Sequence, residues 1–225
     1  MSSEYNFRCM LKNIYKGFCD YEVGLKTHNE GPINTIYGFE HPSTITLGIR
    51  GKIQDDMPFG EFKTQLVGFK IHKVDRGGHA TLHNPGQLVI YPKIHLPDFG
   101  LTVREFVDLI QNSTVQLLKS YGIKARTKCE PGIYINEDKI AFLGLRIKKG
   151  TAHHGLSINI NNDLSQFQWI RSCGVNHAPM TSLNAQGLNF ELKDVFSEWV
   201  LHFENELSLT QLPGKSTLAT NNLRV

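Results

Sequence analysis

Apolar and polar positions follow several rhythms along the chain. Ile14, Phe18, Tyr21 and Leu25 recur at helical spacing, which predicts an amphipathic helix over 14–25. Between Asn34 and Gly48, β-branched residues cluster on either side of Glu40-His41-Pro42-Ser43, the pattern of two short strands joined by a turn. Leu88-Val89-Ile90-Tyr91 reads as a buried strand stopped by Pro92. The clearest helix is predicted from about Val103 to Tyr121. Thr102 and Glu105 form a capping box at its start, and Val103, Phe106, Val107, Ile110, Leu117 and Leu118 form its buried face. Gly122 ends it.

Further on, 132–135 and 139–147 read as a hairpin joined by Asn136-Glu137-Asp138, and 155–160 as another strand. A last amphipathic helix is expected over 195–207, with Phe196, Trp199, Val200 and Phe203 facing inward. Strands grouped mid-chain with a few helices predict an α+β (mixed α/β) fold with a largely antiparallel central sheet flanked by helices. No repeat or linker-like break interrupts the pattern. One domain over 1–225 is therefore expected, with a loosely held polar tail after Leu212.

Composition narrows the classes. Of 225 residues, 40% are hydrophobic and 20% charged, which excludes a disordered or collagen-like chain. The net charge of +3 is too slight to argue for nucleic-acid binding, though it suits an acidic protein partner. The first residues lack a signal-peptide layout and the apolar runs are short, so neither export nor a membrane is expected. Cys9, Cys19, Cys129 and Cys173 show no CxxC spacing. A disulfide framework and a cysteine-rich zinc site are therefore not expected, and a cytoplasmic protein with free thiols is.

The densest chemical signal is Arg76-Gly77-Gly78-His79-Ala80-Thr81-Leu82-His83-Asn84-Pro85-Gly86-Gln87. Glycines there permit positive φ and close approach of a ligand to backbone N–H groups. A tight surface turn with a solvated Arg76 is the plainer alternative. His79 and His83 would share a metal only on a helix, which Pro85 and Gly86 argue against, so no metal is expected. Of His153 and His154, one reads as a hydrogen-bonded core residue and the other as lining a pocket. Cys19 lies in an apolar stripe and reads as packing. Cys173, beside Gly174 on a predicted loop, is compatible with packing or with a reactive thiol. Lys139 opens an apolar strand. It reads either as a solvated hairpin lysine or as a partly desolvated one able to exchange a proton with a thiol.

Together these segments resemble the octanoyltransferases of lipoate biosynthesis (lipoyl/octanoyl transferases, also called lipoate–protein ligase B). Arg76-Gly77-Gly78 with Thr81, His83 and Pro85-Gly86-Gln87 resembles the first motif, and Lys139-Ile140 with Gly144 and Arg146-Ile147 the second. His154-Gly155 with Asn159 resembles the third, and Cys173-Gly174 falls where the family has its nucleophile.

The resemblance implies the fold of the catalytic domain of biotin and lipoate protein ligases. It also implies transfer of an octanoyl group from acyl carrier protein to a lysine of a lipoyl domain, without a cofactor. The acceptors implied are the lipoyl domains of 2-oxoacid dehydrogenase complexes and the glycine cleavage H protein. Cys173 would carry the acyl group and Lys139 would activate it. Arg76 to His83, Phe142-Leu143-Gly144 and His154-Gly155-Leu156-Ser157 would surround the chain, and N–H groups near Gly77-Gly78 or Cys173-Gly174 would hold the oxyanion.

Three positions depart from the family pattern: Ser172 in place of Pro, Asn84 in place of Gly, and Phe142 in place of Ser or Ala. Whether the Phe142 ring faces pocket or core is a matter of strand parity. The alternatives are an ATP-dependent lipoate or biotin-type ligase on the same fold, and a non-catalytic binder of acylated carriers.

Overall fold

The structure is a computed structural model that describes residues 11–57, 68–128, 131–171 and 179–211. Cys9, Cys129, Ser172, Cys173 and the tail after Leu212 lie outside the described residues. In chain order the elements are β1 (Lys12–Phe18), α1 (Tyr21–Glu30), β2 (Thr35–Glu40), β3 (Thr44–Leu47), a single helical turn α2 (Ile53–Asp56), β4 (Lys70–Lys73), β5 (Ala80–His83), β6 (Gln87–Lys93), α3 (Val103–Ser120), β7 (Ala125–Thr127), β8 (Gly132–Ile135), β9 (Asp138–Lys148), β10 (Thr151–Asn159) and α4 (Leu192–Thr210).

A seven-stranded sheet runs β1-β2-β6-β10-β9-β8-β7, and a three-stranded sheet runs β4-β3-β5. Pairing is antiparallel except for β1 with β2 and β3 with β4, so the sheets are mixed. α3 and α4 cover one face of the large sheet. There Phe106, Ile110, Leu117 and Leu118 meet Phe196, Trp199 and Phe203. Trp199 Nε1 donates to Thr114 Oγ1 at 2.9 Å, which joins the two helices. The capping box forms as expected: Glu105 N donates to Thr102 Oγ1 and Thr102 N donates to Glu105 Oε2. Val103, expected in the buried face, is 52% exposed, because a residue in the first turn leans past the end of the sheet.

The helix expected over 14–25 is instead a strand followed by a helix. Ile14 packs toward Tyr37 and Phe39, while Tyr15 turns to the opposite face and meets Phe196 at 5.6 Å. That is a period of two, which the spacing of 14, 18, 21 and 25 conceals. Gly17, at φ +68°, sits in a register shift, and Phe18 ends exposed. The two strands around residues 40–43 form, but β2 belongs to the large sheet and β3 to the small one.

Pro92 does not stop β6, which runs to Lys93 and pairs Pro92 with Ile36. The missing N–H is tolerated because the neighbouring ladder breaks there. β10 pairs with β6 from Asn159 to Leu156, then His154 adopts a left-handed backbone at φ 59°. Gly155 lies in this kink. A Cβ there would run into the Ile90 carbonyl and come within 2.6 Å of Pro92 Cδ. Gly155→Ala is therefore expected to cost about 1–3 kcal/mol through overpacking. Chemical denaturation checks this, and an unchanged midpoint would refute the kink as a packing constraint.

Candidate functional site

The face of the large sheet away from α3 and α4 carries Gln87, Val89 and Tyr91 on β6, Ser157 and Asn159 on β10, and Phe142 and Gly144 on β9. The small sheet and α1 lie over it. Between them is a cavity with about 510 Å³ of empty space, its open mouth included. Its lining combines apolar residues, Ala80, Phe142, Leu143 and Leu156, with polar ones, Tyr21, Arg76, His83, Tyr91 and His154. Gly77, Gly78, His79, Thr81, Gly144, Gly155 and Ser157 complete it. Three segments far apart in sequence are thus brought to one space. Of the residues expected there, Leu82 alone is missing from the lining; it is buried with Ile45, Leu47 and Phe167, in a cluster that Ala80 and Phe142 also join.

Arg76 is not a solvated turn residue; it is 7% exposed. Nε and Nη2 donate to Thr46 Oγ1 at 3.1 and 2.8 Å, Nη2 also to Thr46 O at 2.7 Å, and Nη1 to Gly77 O at 2.9 Å. The glycine loop is clasped from both sides. Gly77 N donates to Leu145 O at 2.9 Å, while Ile49 N and Arg50 N donate to the carbonyls of Arg76 and Gly78. The Gly77 N–H is therefore committed to the sheet and is not available to an oxyanion. Gly78 holds φ +92°, which the turn requires of it. His79 Nδ1 lies 3.2 Å from Asp56 Oδ1, on the buried end of α2.

His154 fills both roles expected of the histidine pair: it lines the cavity and is hydrogen-bonded, donating Nε2–H to Asp75 Oδ1 at 2.8 Å. Burial lowers its pKa against the opposing pull of Asp75, whose own carboxyl is held down chiefly by this bond. Burial first, then Tyr21, drives the Tyr91 pKa well up. Phe142 is both wall and core. Its ring lines the cavity and stacks on Phe167, centroids 5.2 Å apart at 4°.

Lys139 is 3% exposed, with Nζ 5.0 Å from the centre of the Phe142 ring and 5.5 Å from that of Tyr134. Its N–H donates to Pro179 O at 2.9 Å and its carbonyl accepts from Thr181 N at 3.0 Å. Arg171 N donates to Asp56 O at 2.7 Å. The described chain on either side of residues 172–178 is therefore pinned, on one side to α2 and on the other to Lys139. The sequence reading missed Tyr21, Tyr91 and Asp75. Tyr21 falls in a helical stripe and Tyr91 in an apolar strand run, and no local pattern marks Asp75. Among the described residues no cluster of three metal-ligating side chains occurs, and no helix is long and apolar enough to cross a membrane.

The fold, a mixed sheet flanked by helices, is shared with solved lipoate and biotin protein ligases. Lipoate-protein ligase A, solved with ATP, superposes with a TM-score of 0.72 at 13% identity, covering 88% of this chain and 86% of that one. The biotin protein ligase of Aquifex aeolicus gives 0.55 at 14% identity, covering 89% and 71%. At such identities the likeness establishes the fold. Sequence similarity goes further. An octanoyltransferase of Neisseria gonorrhoeae is 39% identical over 186 residues, 77% of this chain and 84% of that protein. One of Chromobacterium violaceum is 35% identical over 189 residues, 84% and 86%. Residues 21–204 match the lipoyl protein ligase A/B catalytic domain, and the chain belongs to that family. It is an acyltransferase.

Three buried histidines around α1 make the site's frame acid-sensitive. Burial pushes His28 to about 3, His41 to about 4 and His83 to about 3. Neither ring nitrogen of His28 has a hydrogen-bond partner among the described residues. Each is neutral when folded and charges near 6.5 when unfolded, so the unfolded state binds more protons between these values. Their contribution to stability is complete above about pH 6.5 and is lost as pH falls toward 4 to 3. The melting temperature should fall between pH 6.5 and 5, above the range where ordinary carboxylates titrate. A flat profile over that window would show that these rings are already charged or free in the native state.

Proposed function

We propose that this protein transfers an octanoyl group from an acyl carrier protein thioester to the lysine ε-amine of a lipoyl domain, in 2-oxoacid dehydrogenase complexes and the glycine cleavage H protein. The observation that carries the reading is the convergence of 76–83, 142–144 and 154–157 on one acyl-sized cavity, with the Lys139 ammonium against its Phe142 wall. The octanoyltransferase relatives supply the cargo. Seven carbons beyond the carbonyl, at about 0.8 kcal/mol each, amount to roughly 5 kcal/mol of gross binding before ordering costs.

In this reading Cys173, as thiolate, attacks the thioester carbonyl. The carrier's thiolate leaves and takes a proton, and the acyl group rests on Cys173 as a new thioester. The lysine amine then attacks that carbonyl, the Cys173–acyl bond breaks, and an amide forms. Lys139 holds the thiolate by its charge and relays the proton lost by the amine. A thioester is already activated, so no nucleotide is consumed. The anchoring of Pro179 and Thr181 on Lys139 supports the pairing, since it ties the chain a few residues after Cys173 to the lysine.

Incubation with octanoyl carrier protein and no ATP, followed by intact mass, should yield an octanoyl adduct. Cys173→Ala should abolish both adduct and transfer, and Lys139→Met should keep carrier binding and lose transfer. Transfer by Cys173→Ala near the wild-type rate would sink the mechanism. Modification that requires ATP and free acid would make the protein a ligase, and carrier binding without an adduct would make it a binder.

Phe142→Ala removes a ring shared by wall and core. Stability should fall by about 3–5 kcal/mol. The preferred chain should also lengthen, by about fourfold in kcat/KM for each methylene newly accommodated. A length profile that stays unchanged while stability drops would assign the ring to packing alone.

A further inference from the structure

His83 lines the cavity with 6% of its surface exposed. Its ring stacks on Tyr21, centroids 5.8 Å apart, and its Nδ1 lies 2.7 Å from Gln87 Oε1. Which nitrogen carries the proton is decided two side chains away. The Thr181 carbonyl can only accept, so Asn159 donates Nδ2–H to it at 3.0 Å. Asn159 therefore turns Oδ1 toward Gln87, where it accepts from Gln87 Nε2 at 2.9 Å and from Asn162 Nδ2 at 3.2 Å. Gln87 is left presenting Oε1 to His83, which must donate Nδ1–H. His83 Nε2 then keeps its lone pair.

The ring also stays neutral, since burial, and after it His41, pushes its pKa to about 3. Among the described residues no donor meets Nε2. His83 thus brings a fixed, uncharged acceptor to the cavity lining. An octanoyl chain has no donor to offer it. Water can meet the acceptor in the empty cavity, but an alkyl chain that displaces the water strands it, a cost comparable to a lost hydrogen bond.

We propose that the cavity takes, besides a plain octanoyl chain, an eight-carbon acyl chain bearing a hydroxyl group whose O–H donates to His83 Nε2. The assignment of an acyl chain to this cavity rests on the transferase reading above. The hydroxyl is a spectator in the reaction: the thioester C–S bond still breaks, the amide C–N bond still forms, and no further reagent enters.

The test begins with binding, independent of turnover. Octanoic acid, hydroxyoctanoic acids substituted at each carbon from C3 to C8, and their oxo counterparts are titrated by calorimetry. An oxo group accepts but cannot donate. One hydroxy isomer should bind about five- to tenfold more tightly than its oxo partner, the margin of a single hydrogen bond. His83→Phe should erase that margin. Hydroxy and oxo acids that bind alike at every position would overturn the proposal, as would a preference that survives in His83→Phe. The ¹⁵N resonances of the wild-type ring give a reading that needs no variant. Nε2 should appear unprotonated and shift when the favoured acid is added; a protonated Nε2 overturns the assignment. Octanoyl transfer in the same preparation separates the two ideas. No transfer alongside an intact hydroxy preference would sink the transferase reading and leave the selectivity of the cavity standing.

Discussion

The distance between the two sheets, and with it the existence of the cavity, depends on one buried cation. Arg76 spans from the glycine loop to Thr46 on β3 through three hydrogen bonds, while Gly77 ties the same loop to Leu145 on β9. A guanidinium out of water is tolerated only when its donors are met, and the Thr46 hydroxyl and carbonyl meet them. This makes the joint stiff: shortening either side would leave an uncompensated charge, at a cost of about 3–5 kcal/mol. Gly48 and Gly144 are small for the same reason, since a Cβ on either would come within 3.1 Å of the Arg76 side chain.

On that frame the cavity has two chemically different kinds of lining. β9 and β10 supply aliphatic and aromatic surface, which holds an alkyl chain without directional bonds. α1, β5, β6 and the kink of β10 supply rings with polar edges, and burial keeps each of those rings uncharged: the histidines by lowering their pKa, the tyrosines by raising theirs. The uncharged rings suit a cavity meant for a hydrocarbon, and the Arg76 guanidinium beside them commits its donors to Thr46 and Gly77. The side chains of Asn84, Gln87, Asn159 and Asn162 form a connected amide network behind the polar lining. It anchors at Thr181, whose N–H holds the Lys139 carbonyl. Wall and lysine are therefore parts of one hydrogen-bonded unit.

Much of this was legible from residue order. The capping box, the hairpin at 136–138, the inward face of α4 and the convergence-prone motifs could all be read because each is a local rule: a cap, a turn, a period or a short spacing. The strand at 12–18 was misread because four apolar residues at helical spacing also fit a strand followed by a helix, and only pairing with β2 distinguishes them. Pro92 was misread as a stop because its tolerance depends on a kink in β10, more than sixty positions away.

The sequence by itself determined which residue types occupy the site segments, that they sit where a turn or a strand end would expose them, and that the fold is mixed with mostly antiparallel pairing. Tertiary structure alone decided that Arg76 is a buried strut, that Phe142 belongs to wall and core together, that Leu82 is left out of the lining, and that the proton of His83 lies on Nδ1. Each of these depends on a partner distant in the chain: Thr46 for Arg76, Phe167 for Phe142, Ile45 and Leu47 for Leu82, and for His83 a chain of amides ending at Thr181. A local pattern records which residue can make a contact. Which contact it makes is settled when the sheets close on one another and every buried donor must find its acceptor.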